Sequence, residues 1–283
     1  MKKSLLVCIL SGLFPLFASG QQLPVACIAT DAVPASLAGT SIGRPCGASA
    51  AEFNAAAMAM SGYRLESGLS YGNWAPSSAD NRMLGVHAAY RIAPKLSIGL
   101  FGKQLKDRKA VLLTNENGVV TEEFIPRDMM LGVSASYCIL PNLSVGLSGR
   151  YASSSLAPDN SPRAFGVDIT AVFRKDGLMA GIGAGTLPSM ARAGLSYTIA
   201  GLTAAVEADY SFSGNFMGAG SLEYGFKDLV FVRAGYRFGS APIPSHLSLG
   251  LGVRYAGISL NAAYLTASKT LGNTLAFGVG YSF

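Results

Sequence analysis

The sequence predicts an all-β protein: a transmembrane antiparallel β-barrel of about 14 strands with an N-terminal plug-like segment. Three observations carry this. Half of the 283 residues are hydrophobic but only 13% are charged, roughly half the charge of an ordinary soluble domain. Mean hydropathy is +0.35, yet beyond the N-terminus 34 glycines and recurrent Ser, Thr and charged residues break every apolar run. None approaches the about 20 residues of a membrane helix. From Tyr63 onward, large apolar residues alternate with small or polar ones, as in strands with one face in lipid. A polytopic helical protein is thereby excluded, and the aliphatic and aromatic content excludes a disordered chain.

The N-terminus reads as an export signal over 1–20. Lys2 and Lys3 precede the apolar run from Leu5 to Phe17, and Ala18-Ser19-Gly20 supplies small residues for cleavage. Without Lys2 and Lys3, 20 basic residues face 16 acidic ones, a net charge of +4. No Lys/Arg cluster is interleaved with aromatics, so no nucleic-acid partner is expected. Cys8 lies in the signal. Cys27 and Cys46 flank a small-residue stretch and have the option of a disulfide in an oxidising periplasm. Leu23-Pro24-Val25-Ala26-Cys27 faintly resembles a lipoprotein box but follows the apolar core too late. Cys138 reads as a packing residue at a strand end.

Residues 21–61 form the second region, rich in Ala, Ser, Pro and Gly, with Ala55-Ala56-Ala57-Met58-Ala59-Met60 near its end. The alternatives are a disordered exported linker and a periplasmic or plug segment packed in or under the barrel. The Ala and Met content favours the plug, whose notable polar residues are Asp31 and Asn54.

The barrel takes up 62–283. Alternation marks segments at 62–74, 82–92, 95–106, 127–138, 142–153, 163–174, 177–185, 188–199, 201–212, 215–225, 228–238, 246–255, 257–266 and 273–283. Leu247, Leu249, Leu251 and Val253 opposite Ser248, Gly250, Gly252 and Arg254 show it clearly. Bacterial barrels have even strand numbers, short periplasmic turns and longer external loops. Every second link here is tight: Ala93-Pro94, Leu140-Pro141-Asn142, Lys175-Asp176-Gly177, Ala200-Gly201, Lys227-Asp228 and Ala256-Gly257. The others are generally longer, above all 107–126, whose apolar residues suit a small hairpin or a lid over the mouth. Tyr90, Tyr137, Phe173, Tyr197, Tyr224, Tyr255 and Tyr281 mark one rim, and Tyr71, Tyr151, Tyr210, Tyr236 and Tyr264 the other, as interfacial aromatic belts do. The final Leu275, Phe277, Val279, Tyr281 and Phe283 resemble the C-terminal signal by which the barrel-assembly machinery recognises such proteins.

Parity turns Arg64, Glu66, His87, Arg91, Arg150, Asp168, Arg174, Arg192, Glu207, Asp209, Glu223, Arg233, Arg237 and Arg254 into the lumen. Facing lipid at the midplane, each Arg would cost about 2–4 kcal/mol. The alternatives are an ion-pair lattice holding a plug and a polar track for a solute; the mixed signs favour the lattice. Gly181, Gly183 and Gly185 form a stripe with no helix behind it to bind phosphate, so they make room for the plug. His87 and His246 have no ligand-spaced partners, and no cofactor, metal or catalytic constellation is expected. An enzyme would have to use His246, near the outer rim.

Thr30-Asp31-Ala32, Ala38-Gly39 and Phe53-Asn54-Ala55-Ala56-Ala57-Met58, followed by a barrel of this length, resemble the PorV/PorQ family. That family belongs to the FadL-like group of fourteen-stranded outer-membrane barrels. Ala55 stands where the family usually has Pro, and Ala38-Gly39-Thr40 is a reduced Gly-Gly-Ala element. The resemblance implies a non-enzymatic outer-membrane protein, surrounded by lipid, and two alternative roles. One is transport of hydrophobic small molecules past an N-terminal plug. The other is a type IX secretion component acting on secretion-system proteins without solute flux.

Overall fold

The structure is a computed structural model and describes residues 23–74, 76, 80–114, 116, 120–155, 157, 160–239, 243–266 and 272–283. The signal segment and Cys8 lie outside the described residues.

Among the described residues sixteen strands form: β1 (Leu65–Trp74), β2 (Asn81–Ala93), β3 (Leu96–Asp107), β4 (Val111–Thr114), β5 (Val120–Phe124), β6 (Arg127–Leu140), β7 (Leu143–Ser155), β8 (Arg163–Lys175), β9 (Leu178–Thr186), β10 (Ser189–Ile199), β11 (Leu202–Ser211), β12 (Phe216–Phe226), β13 (Val230–Phe238), β14 (His246–Tyr255), β15 (Ile258–Thr266) and β16 (Thr274–Ser282). Fourteen of them close an antiparallel barrel in chain order, with β3 next to β6 and β1 next to β16. At the seam, the Arg64 and Leu65 N–H groups donate to the carbonyl of Phe283 (2.7 and 3.0 Å), and the Phe283 N–H returns to Leu65 (3.1 Å). The last residue thus completes the ladder.

The barrel is inside out relative to a soluble protein. On β14, Leu251 is 62% exposed whereas Ser248 is fully buried. The tight links turn in left-handed backbone: Asp176-Gly177, Ala200-Gly201 and Ala256-Gly257 have φ near +50° and then +80°. That is the type I′ geometry matching the twist of paired strands. Both chain ends of the barrel lie at this rim. At the other rim, the Leu187–Pro188 turn between β9 and β10 is as short as these links, unlike the longer link expected there. Leu187 folds inward and is buried.

β4 and β5 form a separate two-stranded sheet in the loop between β3 and β6. Of the two alternatives for this loop, a hairpin is what forms. Val111, Leu112 and Val120 are exposed on it.

Inside the barrel, residues 23–61 fold as α1 (Pro24–Cys27), α2 (Ala32–Ser36), a 3₁₀ turn (Gly47–Ser49), α3 (Ala50–Phe53) and α4 (Ala55–Met58). Helices of four or five residues do not stand alone in water; these are held by the wall. Val25, Leu37, Ile42, Ala51, Ala56 and Met58 are almost wholly buried. Small residues let backbone meet backbone: a Cβ on Gly181 would lie 1.7 Å from the Ile42 carbonyl oxygen, and one on Gly43 2.2 Å from the Gly194 carbonyl carbon.

Candidate functional site

The lumen is a set of buried charges that clasp the plug. On β11, Glu207 Oε2 accepts the N–H groups of Ser41 (2.6 Å) and Ile42 (2.9 Å). Its other oxygen pairs with Arg192 Nη2 at 2.5 Å, and Arg192 also donates to the Phe53 carbonyl at 3.1 Å. Asp209, the next inward residue on β11, accepts from Arg237 Nη1 and Nη2 (2.9 and 3.0 Å). Arg237 Nε donates to the Ala38 carbonyl at 3.0 Å. Glu223 on β12 accepts from Arg44 of the plug (3.0 Å) and Arg233 of the wall (2.5 Å), and Arg233 reaches Asn261 at 2.8 Å.

Across the lumen, Glu52 of α3 is the buried centre of a second group. Its oxygens meet His87 Nε2 at 2.8 Å and Lys103 Nζ at 2.5 Å, and Asp31 lies 4.0 Å from His87 Nδ1. Lys103 also donates to the Ile28 carbonyl (2.8 Å). Arg150 donates to the carbonyls of Glu52 (3.0 Å) and Leu187 (3.1 Å) and pairs with Asp168. Burial alone would raise the Glu52 carboxyl, but Lys103 and then His87 overcome it and hold the group at about 2.

Near the tight-turn rim, Arg91 donates to the Ser61 carbonyl and Arg174 to that of Met60 (3.2 Å). Arg254 stacks 5.0 Å from the Phe231 ring centre, and Glu66 lines the cavity nearby. Arg64 differs from its expected lumenal place. It precedes β1, is exposed at the rim, and lies over the Tyr90 ring (5.6 Å): the Arg64 and Leu65 N–H groups share the one Phe283 carbonyl, a bulge-like irregularity that breaks the alternation there. In the plug, Asp31 caps α2 through the Val33 N–H (2.8 Å), and Asn54 Nδ2 donates to the Ile42 carbonyl (2.7 Å). Gly181 and Gly183 adjoin Ile42, but a Cβ on Gly185 would meet Asp168 instead of the plug. Sequence parity missed Arg44, Glu52 and Lys103. The available signal was three charges isolated among small or apolar neighbours.

Two cavities flank the plug. The one toward the open-loop rim measures about 90 Å³, with Trp74, Met190, Met217, Ile243, His246 and Leu265 above and Arg150, Arg192 and Arg237 in its floor. The other, toward the tight-turn rim, is about 340 Å³ and more polar, lined by Arg44, Glu66, Glu223, Arg233 and Arg254 among others. Cys27 lines the first and Cys46 the second, and both are free thiols. The optional disulfide is therefore absent; the Cys46 thiol instead donates to the carbonyls of Ser41 (3.1 Å) and Arg44 (3.2 Å). Burial pushes the Cys27 thiol up to about 11 and that of Cys46 to about 12, so neither is a ready nucleophile. His246 Nδ1 is engaged by the Pro244 carbonyl at 2.9 Å.

No protein-family model matches the sequence, and no curated protein does. Solved structures do match in fold. The toluene transporter TbuX of Ralstonia pickettii superposes with a TM-score of 0.64 at 12% identity, covering 89% of this chain and 98% of that one. The monoaromatic hydrocarbon channel CymD gives 0.64 at 12%, covering 90% and 98%. The toluene transporter TodX of Pseudomonas putida gives 0.62 at 12%, covering 89% and 97%. The fold shared with these channels is thus a closed antiparallel β-barrel, here of fourteen strands. The finer PorV/PorQ resemblance rests on the sequence motifs alone.

Proposed function

We propose that this chain is a non-enzymatic outer-membrane barrel that passes hydrophobic small molecules, with residues 23–61 as its plug. The observation that carries this is the cavity over the plug: an aromatic and aliphatic wall of Trp74, Met190, Met217, Ile243 and Leu265 opening toward the longer loops. Ligand sites of this kind are concave and mostly apolar, with a few placed polar groups. Its about 90 Å³ is smaller than the about 150 Å³ apolar cavity that holds benzene. A ring-sized guest therefore enters as methionine side chains rotate, which unbranched Met does cheaply, or as the plug yields. TbuX, TodX and CymD, the fold neighbours, are described as transporters or channels for toluene and monoaromatic hydrocarbons, which supports the same ligand class here.

The secretion-component alternative draws on the exposed β4–β5 hairpin as a protein contact. Flux separates the two readings. Proteoliposomes holding the protein should accumulate toluene faster than empty ones and show no matching gain for a sugar. Leu265→Trp, which fills the cavity, should remove most of that gain. Toluene entry equal to that of empty liposomes, together with co-purification of secretion proteins, would overturn the transport reading.

A further inference from the structure

On the lipid face of the barrel, at the open-loop rim, three cations stand side by side. Arg82 pairs in register with Lys106, and Lys106 with Arg127. All three are exposed and share the outward parity of Leu84, Leu100 and Leu131 on their own strands. Neighbouring strands lie about 4.8 Å apart, so three positive charges fall within about 10 Å. Like charges directly opposite one another destabilise a sheet. No carboxylate relieves them: among the described residues none of the three is in an ion pair. Asp107 and Asp128 alternate to the lumenal side, where Asn81 and Ser154 bond them. Arg163 extends the patch along β8; it is exposed and pairs with Ser153, two residues from the Ser155 that faces Arg127.

Depth and asymmetry identify the counter-charge. Leu84 lies two residues from Arg82, about 7 Å along the strand, and Phe165 two residues from Arg163 is 82% exposed. The cations thus sit where the hydrocarbon-facing band ends, at headgroup level. On the opposite side, the same rim carries Tyr210, Phe216, Tyr236 and Phe238, all exposed and uncharged. We infer that Arg82, Lys106 and Arg127 bind the phosphate groups of an anionic outer-leaflet lipid. Its acyl chains lie along the apolar face of β2, β3 and β6 below them. The inference rests on the barrel spanning an outer membrane with its tight turns in the periplasm, and is independent of what crosses the lumen.

The test uses full-length protein in neutral detergent, with diphosphoryl lipid A, its dephosphorylated form and inorganic phosphate as probes. Wild-type protein should bind the diphosphoryl form, and the Arg82→Gln/Lys106→Gln/Arg127→Gln variant should bind it about 100-fold more weakly. About 0.5 M NaCl should weaken wild-type binding strongly, and inorganic phosphate should not displace the lipid. Heat-modifiable mobility on unboiled gels reports separately whether the barrel is formed. If the variant loses that mobility, the salt series and the dephosphorylated lipid decide on wild-type protein alone. Equal binding by a folded variant, equal binding of dephosphorylated lipid, or displacement by millimolar phosphate would each overturn the inference.

Discussion

Glu207 concentrates the residue-scale chemistry. One carboxylate satisfies two plug N–H groups and one wall guanidinium. A buried ion pair adds little over a well-packed apolar substitute, but removing one partner strands the other at a cost of about 3–5 kcal/mol. Glu207→Ala should therefore free Ser41 and Ile42 from the wall without opening the sheet. Limited proteolysis should cut within 23–61 while the barrel keeps its heat-modifiable mobility; a plug as resistant as wild type would refute the clasp. Glu52 sets the pH response. Its carboxyl is held at about 2 against an ordinary 4.5, so its stabilisation is fully present above pH ~4.5 and is lost as pH falls through 2. The shift corresponds to about 3 kcal/mol. Plug protection should fall over that window in wild type and much less in Glu52→Gln. Parity exposed Glu207, Asp209, Arg233 and Arg237 in the sequence because a charge at an alternate strand position stands out. Glu52 was hidden, since a four-residue helix has no period to show its buried face. Lys103 was masked because its inward neighbours Phe101 and Leu105 are apolar and face the plug, so β3 does not alternate cleanly.

Among the elements, strands were legible nearly to the residue because one face must meet lipid. Two starts come late: the segment expected over 62–74 begins at Leu65, and the one expected over 228–238 begins at Val230, where Lys227 and Asp228 both take left-handed backbone and lengthen the turn. The plug's internal path was not legible, since Ala-, Ser- and Pro-rich sequence has no periodicity and its shape comes from the wall. Glycine on the wall records that contact. Gly181→Ala places a methyl against the Ile42 carbonyl, 1.7 Å from where its Cβ must go, and should displace the 41–44 loop, raising single-channel conductance in planar bilayers. Gly149→Ala, whose Cβ meets nothing within 4 Å, should leave conductance unchanged. Equal conductance in both variants would mean that the loop does not block the lumen.

For the whole molecule, two chemically opposite surfaces follow from one alternating pattern. Between the rims the outward face is aliphatic and aromatic; the inward face is largely charged and small, and the chain's own N-terminal segment packs against it. In the proposed transport role, sealing and passage are linked through the plug, and fixing the plug in place tests that link. Ala48 Cβ lies 3.8 Å from the Cβ position of Gly68 on β1, a spacing suited to a disulfide. In a background with Cys27, Cys46 and Cys138 replaced by Ala, Ala48→Cys/Gly68→Cys should cross-link under oxidation in intact membranes. Toluene uptake should then stop, and a reductant should restore it. Failure to cross-link, or uptake at the full rate with the cross-link closed, would contradict a barrel gated by residues 23–61.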